Sequence, residues 1–167
     1  MRPRLQCRAL FLLVVSVPLA GCSAPGSKIK ATLNESAALS GNLPAHPLQW
    51  RVITSMLDAK DSTMSTLYGN DAAVQYARSN AQHSYPDGST LSLVTWAQTD
   101  DDRWFGARIP SQVKSVEFVS VQVSPDGLTY SYERYEGSPL KRVSMEKAFK
   151  PNERSTFLLS QRAAVMP

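Results

Sequence analysis

The stretch "VEFVSVQVSPDGLTYSYERYEG" (116–137) constrains the fold most strongly. Val119, Val121 and Val123 alternate with Ser120 and Gln122. Leu128, Tyr130 and Tyr132 alternate with Thr129, Ser131 and Glu133. A period of two sends successive side chains to opposite faces, so each run reads as a strand with one buried face. Pro125, Asp126 and Gly127 lie between the runs. Pro presets φ, Asp bonds to nearby backbone and Gly accepts positive φ, so the pair reads as an antiparallel hairpin.

The same grammar extends upstream. "LQWRVITSML" places Leu48, Trp50, Val52, Thr54 and Met56 on one strand face, and "STMSTLYG" follows as a second strand after a turn at 58–61. "GNDAAVQYARSN" predicts a short helix capped by Asn70 or Asp71, with Ala73, Tyr76 and Ala77 on one side. A second Pro-Asp-Gly turn at Pro86–Gly88 feeds a strand with Leu91, Leu93 and Thr95 facing one way and Val94 and Trp96 the other. "TDDDRWFGARIP" reads as an aromatic loop closed by Pro110. Toward the C-terminus "VSMEKAF" and "STFLLSQRAA" read as short helices. The expected fold class is α+β, mainly antiparallel β-sheet with a few short helices.

The N-terminus reads as an address. Arg2, Arg4 and Arg8 precede an apolar segment over 9–20, too short to span a bilayer and of signal-peptide length. "LAGC" at 19–22 resembles the lipobox of bacterial lipoproteins. That resemblance implies acylation of Cys22, removal of residues 1–21 and a stable anchor of several acyl chains. Ser23, rather than Asp, after the cysteine implies the outer membrane facing the periplasm. Residues 22–46 are then an acylated N-terminus and flexible tether, with a short helix over 32–39, and 47–167 the folded domain.

Two exclusions follow. Cys7 leaves with the leader and Cys22 is acylated, so no thiol remains for a disulfide, zinc site, nucleophile or thioether-linked haem. The chain holds 18 Lys+Arg and 14 Asp+Glu. Without the three leader arginines, 15 bases face 14 acids, and nothing argues for a nucleic-acid partner.

The order "WRVIT", "TLYGNDAAVQYAR", "YPDGSTLSLVTW", "VEFVSVQV" and "YSYERYEGSPL", over Trp50–Pro139, resembles the cytochrome P-460 family, whose fold cytochrome c-prime-beta shares. The resemblance implies a largely antiparallel sheet with helices and a homodimer. Haem-bearing members hold a c-type haem near the C-terminus through Cys-x-x-Cys-His. This chain has no such motif, and no His or Cys follows His83. The lysine that cross-links haem in some members would lie on the strand after Pro-Asp-Gly, where 89–96 hold none. Hydroxylamine oxidation and gas binding at that haem are therefore not inherited.

What remains is a short set of candidates. His83, in the loop between helix and strand, could ligate iron in a non-covalent haem site or act as a general base. Trp104, with Arg103 and Arg108 beside it, could meet an anionic ligand such as a haem propionate. His46 reads as a linker residue. Asp100–Asp102 lack the alternating spacing of a calcium loop. Trp50 and Trp96 read as core, and Phe105 as a neighbour of Trp104. No catalytic residue and no metal site is expected, and no cofactor, with non-covalent haem as the alternative. The sequence reads as a membrane-anchored binding or interaction module rather than an enzyme.

Overall fold

A computed structural model of the chain describes residues 34–79, 84–125, 127–144 and 151–164. Six strands form one antiparallel sheet in sequence order: β1 (Arg51–Asp58), β2 (Thr63–Gly69), β3 (Thr90–Asp100), β4 (Arg108–Ser124), β5 (Gly127–Glu136) and β6 (Lys141–Arg142). Helix α1 (Asp71–Arg78) lies between β2 and β3, and α2 (Pro151–Ser160) follows β6. The mainly antiparallel α+β fold is the one expected.

The turns explain the meander. Asp58 Oδ1 accepts the Lys60 and Asp61 amides at 2.9 and 3.1 Å, closing β1 onto β2. Gly127 has φ +119° where β4 returns as β5. The earlier Pro-Asp-Gly works differently. It opens β3 rather than a hairpin, and Asp87 Oδ1 accepts the Val123 amide of β4 at 2.8 Å.

Asn70 joins two of the motifs read in sequence. Its side-chain oxygen accepts the Ala73 amide at 3.1 Å, capping α1. The same oxygen accepts the Thr90 amide at 3.2 Å, and its Nδ2 donates to the Gly88 carbonyl at 2.8 Å. The Gly-Asn-Asp helix start and the Pro-Asp-Gly strand start thus hold each other.

The first sheet face buries Ile53, Leu67, Leu91, Leu93, Val119, Val121 and Tyr132 beneath α1 and Leu158 of α2. The chain after α2 returns to this layer, with the Ala163 amide on the Ala77 carbonyl at 3.2 Å and the Ala164 amide on the Ile53 carbonyl at 2.9 Å. The second face buries Val94, Trp96, Val116, Phe118 and Tyr135, with Ala37, Leu39, Leu43 and Trp50 packed on them.

Residues 34–46, read as tether in the sequence, therefore form the cover of this second face. Asn34 Nδ2 donates to the Pro110 carbonyl of β4, and the Leu140 amide donates to the Ser40 carbonyl at 2.7 Å. Gly41, at φ +127°, lies so close to Leu140 that a Cβ would strike its backbone. Two short turns, Glu35–Ala37 and Pro47–Gln49, are 3₁₀ in form, and Asn34 precedes the first. Of the helix expected over 32–39, the described part, from Asn34 on, is helical only over Glu35–Ala37.

Other differences have local causes. A bulge between Val52 and Thr54 shifts the register of β1. Ile53 and Met56 turn toward the first core, while Leu48 and Val52 are exposed, so the strand face expected for Leu48–Met56 is not kept. Much of the expected loop at 99–110 is strand. Asp100 pairs with Arg108 and Thr99 with Ile109, extending β3 and β4 into an arm beyond β2. Helix α2 begins at Pro151, suited to a first helical turn, earlier than expected. Most of "VSMEKAF" lies outside the described residues.

Leu158 is fully buried between α2 and the first core. Leu158→Ala is expected to lower unfolding free energy by about 3 kcal/mol, measured by urea titration.

Candidate functional site

On the first face the apolar layer does not reach the whole sheet. Beyond Leu93 the inward positions become Thr95 on β3, Ser65 on β2 and Ser115 on β4. The Ser65 and Thr95 hydroxyls share a hydrogen bond at 2.8 Å. Here the sheet and α2 bound a cleft of about 440 Å³, walled by Met56, Leu57, Leu93 and Phe157 beside these hydroxyl groups.

Glu117 lies at its margin. It occupies the same inward register as Val119 and Val121, and it is 1 % exposed. A carboxylate buried this deeply needs donors, and four reach it. Tyr132 Oη donates to Oε2 at 2.7 Å. Arg154 of α2 approaches bidentately, Nε to Oε2 at 3.0 Å and Nη2 to Oε1 at 2.8 Å. Arg134 Nη1 donates to Oε1 at 3.1 Å, while its Nε holds Glu136 at 2.6 Å.

The register assembles this cluster. Glu117 is directly opposite Arg134 on β5, and Val119 is opposite Tyr132. Both β5 side chains therefore share the first face, two residues apart. Arg154 enters from the first turn of α2, with its guanidinium 5.0 Å from the Phe157 ring centre. Burial and then the bond to Glu117 push the Tyr132 hydroxyl up to about 12. Bonding to Glu117 likewise raises Arg154 and keeps it charged.

The residues singled out in sequence lie elsewhere. Arg103 pairs with Asp101 at 3.2 Å, Arg108 pairs with Asp100 at 3.1 Å, and Trp104 is exposed between them. These three share the tip of the β3–β4 arm and line none of the cleft. His46 is exposed before the Pro47 turn. Trp96 is buried, its Nε1 donating to the Ala37 carbonyl at 2.9 Å, and Trp50 meets Phe118 edge-on at 6.2 Å. His83 and Cys22 lie outside the described residues. Among those described, no three His, Cys, Asp or Glu side chains are grouped to hold a metal ion.

The Glu117 cluster was not anticipated from sequence. Its signal was a charge at an inward position of an otherwise apolar alternation, with Tyr132 and Arg134 at matching parity on the next strand.

The topology and the joined motifs agree with a family comparison: the cytochrome P460 model matches residues 46–151. The chain belongs to the cytochrome P460 family. No curated protein matches it. The haem implied by that family can be tested against the donors in this chain. Haem iron takes His, Cys, Met or Tyr as protein ligand. Among the described residues the cleft lining contains no His or Cys, its only sulfur is that of Met56, and both guanidinium groups are engaged by Glu117. Residues 1–167 contain no Cys-x-x-Cys-His motif of the kind that attaches haem through thioethers.

Two measurements check the cluster. Glu117→Gln removes the charge both arginines share and is expected to cost about 3 kcal/mol, or roughly 10 °C in Tm. Ultraviolet titration is expected to find four late phenols, with Tyr132 and Tyr85 pushed up to about 12 and Tyr68 and Tyr135 also raised, all chiefly by burial. A phenol raised in the folded state stabilises the fold fully below its unfolded value of 10.0, and that contribution is lost as pH rises from there toward 12. Alkaline unfolding is expected in that window.

Proposed function

We propose that this protein is a lipid-anchored envelope lipoprotein whose cytochrome P460 domain works as a small-ligand binding module rather than a haem enzyme. In this reading residues 1–21 are removed, Cys22 is acylated, and the domain is held at the periplasmic face of the outer membrane. The support for the anchor is the lipobox-like "LAGC" behind a basic and then apolar leader.

The observation that carries the binding reading is the cleft above Ser65, Thr95 and Ser115. Its chemistry is apolar on the walls and hydroxyl-rich on the floor, with Glu117 already satisfied at the margin and the Asp58 carboxylate also in the lining. Such a lining suits a molecule without an anionic group, with an apolar body and a hydrogen-bonding edge. An anionic ligand would have to take Arg134 or Arg154 from Glu117, leaving a buried carboxylate underpaired.

Non-covalent haem is the second reading; among the described cleft residues the Met56 thioether is the one group that haem iron takes as a ligand. Titrating the purified mature chain with hemin separates the two. The binding-module reading expects no saturable Soret band. Saturation at one hemin per chain would overturn it in favour of a haem protein.

A further inference from the structure

The β3–β4 arm ends in an exposed aromatic pair. Trp104 is 68 % exposed and Phe105 fully so. Burying large apolar side chains is the main driving force of folding, so two adjacent aromatics held in water at a hairpin tip are conspicuous. The tip is built, not frayed. The Asp101 amide donates to the Ala107 carbonyl at 3.0 Å, the Ala107 amide to the Trp104 carbonyl at 3.0 Å, and Arg103 N–H to Asp101 Oδ1 at 2.9 Å. Gly106, at φ +77°, completes the turn. The pair is therefore presented at little further cost in conformational entropy.

The arm also sits where the chain enters the domain. Asn34 is hydrogen-bonded to Pro110 at the base of the arm. Strand geometry puts Trp104 within about 20 Å of that point along the arm. Eleven residues lie between Cys22 and Asn34, a covalent reach of at most about 40 Å. An anchor at Cys22 thus keeps the base of the arm within tether range of the bilayer surface, and the arm adds its own length. Another exposed apolar group, Val123, Leu128 and Tyr130, belongs to the opposite end of β4, and Leu57 and Phe157 are exposed at the cleft.

We propose that the Trp104–Phe105 tip is a second membrane contact, inserting its aromatic rings at the lipid headgroup–acyl boundary while the acylated Cys22 supplies the anchor. This inference rests on the lipoprotein reading. The amphipathic indole of Trp104 favours that boundary, and the Phe105 ring adds apolar area beside it. Arg103 and Arg108 are already paired with Asp101 and Asp100, so the contact is apolar and does not depend on anionic lipid. Two-point attachment would fix the orientation of the domain, and with it the direction in which the cleft opens.

The test uses the purified mature lipoprotein reconstituted into phosphatidylcholine vesicles with plain or brominated acyl chains. The expected result is tryptophan emission quenched by the brominated chains, loss of that quenching in Trp104→Phe, and no change in the distal control Leu128→Ser. Trp104 and Phe105 are exposed, so the variants keep the fold. Mass measurement of the same preparation reports acylation. An acylated protein whose Trp104 stays open to aqueous iodide overturns the inference and leaves the lipoprotein reading standing. Shielding of Trp104 that depends on protein concentration without lipid assigns the tip to a second copy and also overturns it. An unacylated Cys22 overturns both.

Discussion

A single buried carboxylate with four donors determines how the first layer of this domain closes. Glu117 sits on β4, its donors come from β5 and α2, and no other charged side chain among the described residues is so deeply buried. A buried ion pair is a modest source of net stability, because desolvation offsets much of the attraction. Its value here is positional. A guanidinium that meets both carboxylate oxygens restrains the rotation of α2 near its start, while the Ala163 and Ala164 backbone bonds hold the chain beyond its end. With α2 fixed, Phe157 becomes a wall and the floor of Ser65, Thr95 and Ser115 becomes the base of a cleft.

The opposite face follows a different logic. There the entering segment, residues 34–50, replaces a helical layer, and its small apolar residues fill the surface of Val94, Trp96 and Phe118. Trp96 ties that cover to the sheet through the Ala37 carbonyl. The end of the domain where the chain enters is thus also where the arm projects, so the geometry of attachment and that of the sheet are linked through Asn34 and Pro110.

The sheet was legible because its signals are local. The period of two, the Asn70 cap and the two Pro-Asp-Gly turns each act within a few residues, and the family resemblance rested on the motifs that Asn70 joins. The face of β1 was misread because a bulge at Ile53 shifts parity, and its cause lies in packing against α1 rather than in composition. The arm read as a loop because polar, paired strand residues lack apolar alternation. Residues 34–46 read as tether because small side chains show no periodicity, though Ala37 and Leu39 are the size that fits against Trp96. The Glu117 cluster joins positions 117, 132, 134 and 154, and only the register brings them together.

A double-mutant cycle between Glu117 and Arg154 tests the central claim most directly. The single and double replacements, Glu117→Gln and Arg154→Leu, would be compared by denaturant unfolding. If the bidentate pair fixes α2, the two effects fall short of additivity by about 1.5 kcal/mol or more. Additivity within about 0.5 kcal/mol would contradict it, showing α2 to be held by Leu158, its apolar neighbours and the backbone bonds of Ala163 and Ala164 instead.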